Sequence, residues 1–217
     1  MSKEMAVAGD VVSAFTERAR GMLEKVECGC IYEIEQWRNG KMIHHAVEHN
    51  LVTTQGLRYL IAIALDPAAG SGETYTAQTD WYVMLLGRED TNQGVALAAP
   101  VAGITYVNHE TTHVDKTYEF RDCTVSGSAV NRAVWDATMH ASASSCTNSA
   151  SKAVFNITAA SDNAGFVEGA ALVSRIDKGD STSGDFLISS SLFQTVIPVQ
   201  TGDIVNVTVT FAINPTA

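Results

Sequence analysis

Ile204-Val-Asn-Val-Thr-Val-Thr-Phe-Ala-Ile-Asn214 is the stretch on which the fold turns. Ile204, Asn206, Thr208, Thr210 and Ala212 share one side of it, and Val205, Val207, Val209, Phe211 and Ile213 share the other. Period-two alternation in β-branched residues is the pattern of a strand with one buried face. The preceding turn, Gln200-Thr-Gly-Asp203, supplies in Gly202 a residue free to take a positive φ. A lone strand is not stable, so earlier segments must be its partners.

Those partners are readable upstream. Cys28 to Trp37 alternates, and Asn39-Gly40 is a strong hairpin signal leading to a return strand from Lys41 to His49. Gln55 to Leu65 reads as a short helix with Leu57, Leu60, Ile61 and Ala64 as its apolar stripe, stopped by Asp66-Pro67. Asp80 to Gly87 is apolar at nearly every position, which predicts a central strand covered on both faces. Further strands are expected at Ile104–Asn108, Lys116–Cys123, Lys152–Ala159, Gly165–Ile176 and Asp185–Phe193. Asn131 to Met139 fits either a strand or a short helix. Loops rich in Gly, Ser, Thr or Ala fill 66–79, 89–100 and 141–151. About nine or ten strands at this turn spacing predict a mainly β chain, folded as an antiparallel sandwich or barrel.

Ahead of the strands, residues 10 to 26 form an amphipathic helical pattern. Val11, Val12, Phe15, Ala19, Met22, Leu23 and Val26 fall on one side, and Glu17, Arg18, Arg20, Glu24 and Lys25 on the other. Asp10 is placed to cap it. The expected organisation is therefore a helical arm over residues 1–27 and a sandwich domain over 28–217. The arm serves either as a lid on the sandwich or as a piece that docks on a neighbouring molecule.

Composition narrows the function. With a net charge of −10 and no block of Lys or Arg, the chain lacks the basic patch that nucleic-acid phosphates require. No apolar run approaches the ~20 residues of a membrane span, and Met-Ser-Lys-Glu-Met opens without the apolar core of a secretory signal. Cys28, Cys30, Cys123 and Cys146 are sparse for a disulfide scaffold, so reduced thiols are expected.

Several constellations resemble chemistry. His109-Glu-Thr-Thr-His113 satisfies H-E-x-x-H, which on a helix sets two imidazoles on one face for zinc and a glutamate to polarise metal-bound water. Its neighbours favour strand, which would part the two histidines by about 13 Å, and Lys116 and Glu119 stand where the extended form needs Gly and His. A zinc hydrolase is thus the remote alternative. Gly179-Asp-Ser181 has no later histidine to act as its base, the last being His140. His44, His45, Glu48 and His49 cluster on the return strand, where they could ligate metal with help from Cys28 or Cys30, or simply face solvent or a partner. Trp37 and Trp135 are candidate sugar-stacking platforms, whereas Trp81 opens an apolar strand and reads as core. No catalytic residue, cofactor site or metal site is expected.

The order of strand, Gly202-Asp203 and Val207-Thr-Val-Thr-Phe211, preceded by Asn50-Leu-Val-Thr-Thr-Gln-Gly-Leu57 and Trp81-Tyr-Val-Met-Leu-Leu-Gly87, resembles a family of tailed-bacteriophage virion structural proteins. The resemblance runs from residue 28 to 214. It implies an antiparallel β-sandwich of jelly-roll-like type that serves as a capsid decoration (cement) protein or a tail-associated protein, without catalysis, located in the virion after assembly in the host cytoplasm. The implied partners are the major capsid protein or other virion proteins and further copies of the chain, as a dimer or trimer, with no nucleic acid and no membrane. Interaction residues expected on this reading are Val11, Val12, Phe15, Met22, Leu23, Trp37 and Trp135. The alternative is a tail-associated or adhesin module that binds host glycan.

Overall fold

β11 (Ile204–Pro215) pairs antiparallel with β1 (Val26–Arg38), from Trp37 opposite Ile204 to Val26 opposite Pro215. This is a computed structural model, and it describes residues 26–65, 79–88, 119–139, 144–158, 165–178 and 185–215. The expected helix over 10–26 lies outside them, apart from Val26, which already belongs to β1. The expected strand at Ile104–Asn108 also falls outside.

The alternation predicted for the last strand holds over its first part, where Val205, Val207 and Val209 are fully buried; Thr208 is buried too, and beyond it Ile213 is exposed. On its other edge β1 pairs with β2 (Lys41–Leu51). Their turn places Asn39 at φ 52° and Gly40 at φ 73°, the twist that a two-residue hairpin demands.

The far edge of β11 is shared between two strands. β8 (Ala153–Ile157) takes Ile204 to Val207, and β7 (Ser145–Thr147) takes Thr210 to Ala212. Asn148 fills the gap between them. Its amide nitrogen donates to the Val207 carbonyl at 3.2 Å, and its amide oxygen accepts the Val209 N–H at 2.6 Å. One side chain thus supplies the hydrogen bonds a continuous strand would have made. Part of the expected 141–151 loop is therefore strand, because the open edge of β11 satisfies its backbone. β4 (Cys123–Thr124) adds to β8 and β6 (Thr138–Met139) to β7, completing a seven-stranded first sheet.

The second sheet runs β10 (Leu187–Pro198), β9 (Phe166–Val173), β3 (Tyr82–Arg88), β5 (Ala133–Val134), all antiparallel. Tyr32, Ile34, Phe155, Val205, Val207 and Val209 of the first sheet share one core with Val83, Leu85, Val167 and Ile197 of the second. Met84 and Leu86 join Ala171, Val173 and Leu187 in a separate buried cluster. β3 is thus covered on both faces, as its unbroken apolar run requires. The chain is mainly β: two antiparallel sheets, with one helix among the described residues.

Three further expectations are corrected. The described part of the Lys116–Cys123 segment is no continuous strand: Glu119 makes a single bridge to Leu86, and pairing resumes only at Cys123. Asn131–Met139 is neither one strand nor a helix. It gives β5 to the second sheet and β6 to the first, crossing between them at Trp135, whose N–H donates to the Trp81 carbonyl. The helix α1 (Thr54–Leu65) is real, but it is rotated from the expected stripe. Tyr59 and Ala62 are buried while Leu57 and Ile61 are exposed.

The cause of that rotation lies at the helix start. The Thr53 hydroxyl accepts the Gly56 N–H and donates to the Leu187 carbonyl, and the Gln55 amide bonds the backbone at Asp185 and Leu187. These ties to β10 fix the phase of the helix, and Tyr59 then packs on Trp81 and Phe186 at centroid distances of 5.1 and 4.9 Å. A Cβ on Gly56 would sit 2.6 Å from the Ile188 carbonyl oxygen. Gly56→Ala should therefore cost about 1–3 kcal/mol by overpacking, read as a lower urea midpoint with unchanged slope.

The corner where β11 begins is held by Asp203, whose side chain is fully buried. Arg38 donates to both carboxylate oxygens at 2.7 and 2.8 Å, and the Gln36 amide and the Gln200 N–H add bonds of 2.8 and 3.0 Å. Burial alone would raise the Asp203 carboxyl, but these donors outweigh it and hold it below the usual carboxylate range. A folded value below the unfolded one, about 3.9, means stabilisation fully present above that pH and lost as pH falls through the folded value. Asp203→Asn should cost about 1.5–3 kcal/mol near neutrality, the worth of a hydrogen bond to a charged group. In urea titrations the gap between wild type and variant should close as the pH drops below about 4.

Candidate functional site

Among the described residues, two surfaces offer binding geometry, and both draw on the strand alternation of the first sheet. On β1 the residues that alternate with buried Cys30, Tyr32, Ile34 and Gln36 face outward: Glu33, Glu35 and Trp37. The register sets Met42 and Ile204 on either side of Trp37, and His45 and Asn206 on either side of Glu35. The half-buried Trp37 donates its indole N–H to Glu35 at 3.1 Å. Glu35 also accepts from Lys152 Nζ at 2.7 Å and from the Asn206 amide at 3.3 Å. The Lys152 bond is the main reason its carboxyl lies below the usual range. The result is a braced outer face on which exposed Met42 and Ile204 flank the indole, with exposed Val47 and Val154 further along it.

The second surface is a cleft of about 590 Å³ at the corner where β5, the edge of the second sheet, meets β8 of the first. β4 covers β8 only at Asn156 and Ile157, so the earlier part of β8 is left as one wall. Lys152, Val154 and Asn156, alternating with buried Ala153, Phe155 and Ile157, line that wall. Ala133, Val134 and Asp136 line the opposite one. Ser126 and Ser128 come from a tight turn closed by reciprocal backbone bonds between Val125 and Ser128, with Ser126 at φ 50° and Gly127 at φ 82°. Sequence reading missed this turn; its only local signal is the Ser126-Gly127 dipeptide.

Behind the cleft, Arg132 is wholly buried and binds Glu119 through two bonds of 2.7 and 2.8 Å, with a third to the Arg175 carbonyl. Arg132→Met should leave the Glu119 carboxylate buried without its partner and cost about 3–5 kcal/mol. The double variant with Glu119→Gln should recover part of that loss, measured as a double-mutant cycle in urea.

The predicted residues scatter. Val11, Val12, Phe15, Met22 and Leu23 lie outside the described residues, as do His109, Glu110, His113 and the Gly179-Asp-Ser181 block. Trp37 stands on the outer face, while Trp135 is half-buried, packs against the core and donates its indole N–H to the Val209 carbonyl at 3.0 Å. His45 meets Glu33 at 2.9 Å on the outer face, and His44 falls on the opposite side. Cys30 lies opposite Asn50 and His44 opposite Gln36, so about six residues or ~20 Å of strand part the thiol from that histidine. Among the described residues no three His, Cys, Asp or Glu side chains gather as metal ligands. All four cysteines are free, and burial pushes the Cys30 thiol up to about 12.

No protein-family model, curated protein or solved structure matches the chain.

Proposed function

We propose that the chain is a structural, non-enzymatic protein of a tailed-phage virion: a capsid decoration protein that binds and stabilises the major capsid protein lattice. In this reading the two sheets are connected as a jelly roll, and copies of the chain associate as a dimer or trimer. The observation that carries the proposal is the outer face of the first sheet. There Met42 and Ile204 stay exposed on either side of Trp37, and Val47 and Val154 further along, on a frame braced by Glu35, Lys152 and Asn206. An apolar patch rimmed by polar groups, on a sheet too rigid to collapse over it, suits burial against a neighbouring subunit. The net charge of −10 favours a neutral or basic protein partner over nucleic acid. Decoration works by multiplying such contacts over the lattice.

Particles stripped of the protein provide the test. Met42→Glu combined with Ile204→Glu should weaken rebinding by about tenfold or more, equivalent to about 1.4 kcal/mol, with no loss of thermal stability. Removal of residues 1–25 measures the share carried by the N-terminal arm. Full rebinding by both variants would contradict the reading.

A second reading, a tail-associated or adhesin module that binds host glycan, is favoured by Trp37. Its half-exposed ring is held in place by Glu35 with the Asn206 amide in reach of the same carboxylate, an arrangement suited to a stacked sugar. Trp37→Ala should then abolish retention of the protein on host-derived glycan.

A further inference from the structure

We propose that the cleft between β5 and β8 is a binding subsite for a neutral saccharide. The inference deepens the glycan reading and rests on it, but it places recognition at a second location besides Trp37.

The two cations at the cleft are already paired. Arg132 gives its guanidinium to Glu119 and to the Arg175 carbonyl, and Lys152 gives its ammonium to Glu35. Neither cation is left to hold a phosphate or a carboxylate, because each is neutralised at 2.7 Å by its own partner. What remains toward the cavity is short and polar. Asn131 and Asn156 offer amides and Asp136 a carboxylate, and these three side chains have no intramolecular partner among the described residues. Ser126 adds a hydroxyl from the tight turn.

Amides and carboxylates present two polar atoms in one plane, which matches a pair of adjacent hydroxyls on a sugar ring. The ring also has C–H faces, and these need apolar contact. Val134 and Val154, 47% and 41% exposed, supply it from opposite walls. A purely apolar ligand would strand the amides, and an anion would find no free cation. A volume of about 590 Å³ falls within the ~300–1,000 Å³ usual for small-ligand sites.

The cleft and the indole are also in line. Asn156 pairs with Ile204, and Ile204 pairs with Trp37, so two strand spacings, about 10 Å, separate the cleft wall from the ring. An oligosaccharide of a few units could lie across that row, one residue over Trp37 and another in the cleft.

The experiment is saturation-transfer NMR on the full chain with maltohexaose, cellohexaose and fully N-acetylated chitohexaose, with phosphorus-NMR line broadening of inorganic phosphate as a parallel probe. At least one saccharide should bind in the millimolar range or tighter, and phosphate should not. Val134→Trp, which fills the cleft from an exposed position, should remove that binding, and Asn156→Ala should weaken it by about tenfold. Unchanged melting temperatures show that both variants stay folded. Binding lost in Trp37→Ala but untouched by Val134→Trp would overturn the cleft while leaving the glycan reading in place. Phosphate binding at the cleft, or silence with all three saccharides, would overturn the inference.

Discussion

The pairing of β1 with β11 is the constraint on which the rest of the structure depends, and the Asp203–Arg38 ion pair holds it in register. Side chains on a strand alternate between faces, so a slip of one residue would carry Val205, Val207 and Val209 from core to solvent. Asp203 stands just before β11 and Arg38 at the end of β1, so their two-bond contact forms only in one register. Gln36 ties the same carboxylate and the Pro198 carbonyl to β1, and the Ile157 N–H donates to the Asp203 carbonyl. Asp203 and Gln36 thereby join β1, β8, β10 and β11 at a single corner.

The candidate surfaces follow from this frame. With β1 and β11 in register, Trp37, Ile204 and Asn156 fall in one outward row, and Glu35, Asn206 and Val154 in the next. Because β8 covers only the first part of β11, and β4 only the end of β8, the first sheet steps back at this corner. The second sheet ends there in β5, a strand of two residues. The cleft is the space left where two short edges fail to cover each other. Its floor is firm because the Arg132–Glu119 pair, costly to desolvate, is satisfied at every reach of the guanidinium.

Much of this was legible from residue pattern alone. Long strands with clean alternation, β1, β2 and β11, and the Asn39-Gly40 turn obey local rules strongly enough to be read without tertiary knowledge. The unbroken apolar run of β3 likewise announced burial on both faces. Short strands were not legible. β5, β6 and β7 exist only because an edge elsewhere is open to receive them, and two or three residues carry no period. The Asn148 bridge cannot be read from Ser, Thr and Asn in a low-complexity stretch, since its partners lie some sixty positions away in the chain. The phase of α1 was misread for the same reason: Thr53 and Gln55 answer to β10, not to the helix's own apolar spacing. Of the candidate site, Trp37 was visible as a lone aromatic beside a turn. The cleft was not, because its polar residues come from separate segments that only the two sheets bring together.

We propose that the braced outer face meets a repeating partner and that the chain is a structural part of a phage particle. The direct measurement is the amount of this protein relative to the major capsid protein in purified particles of the phage proposed as its source, by quantitative mass spectrometry. A fixed ratio matching the capsid lattice is the predicted result. Complete absence from the particles would contradict the account.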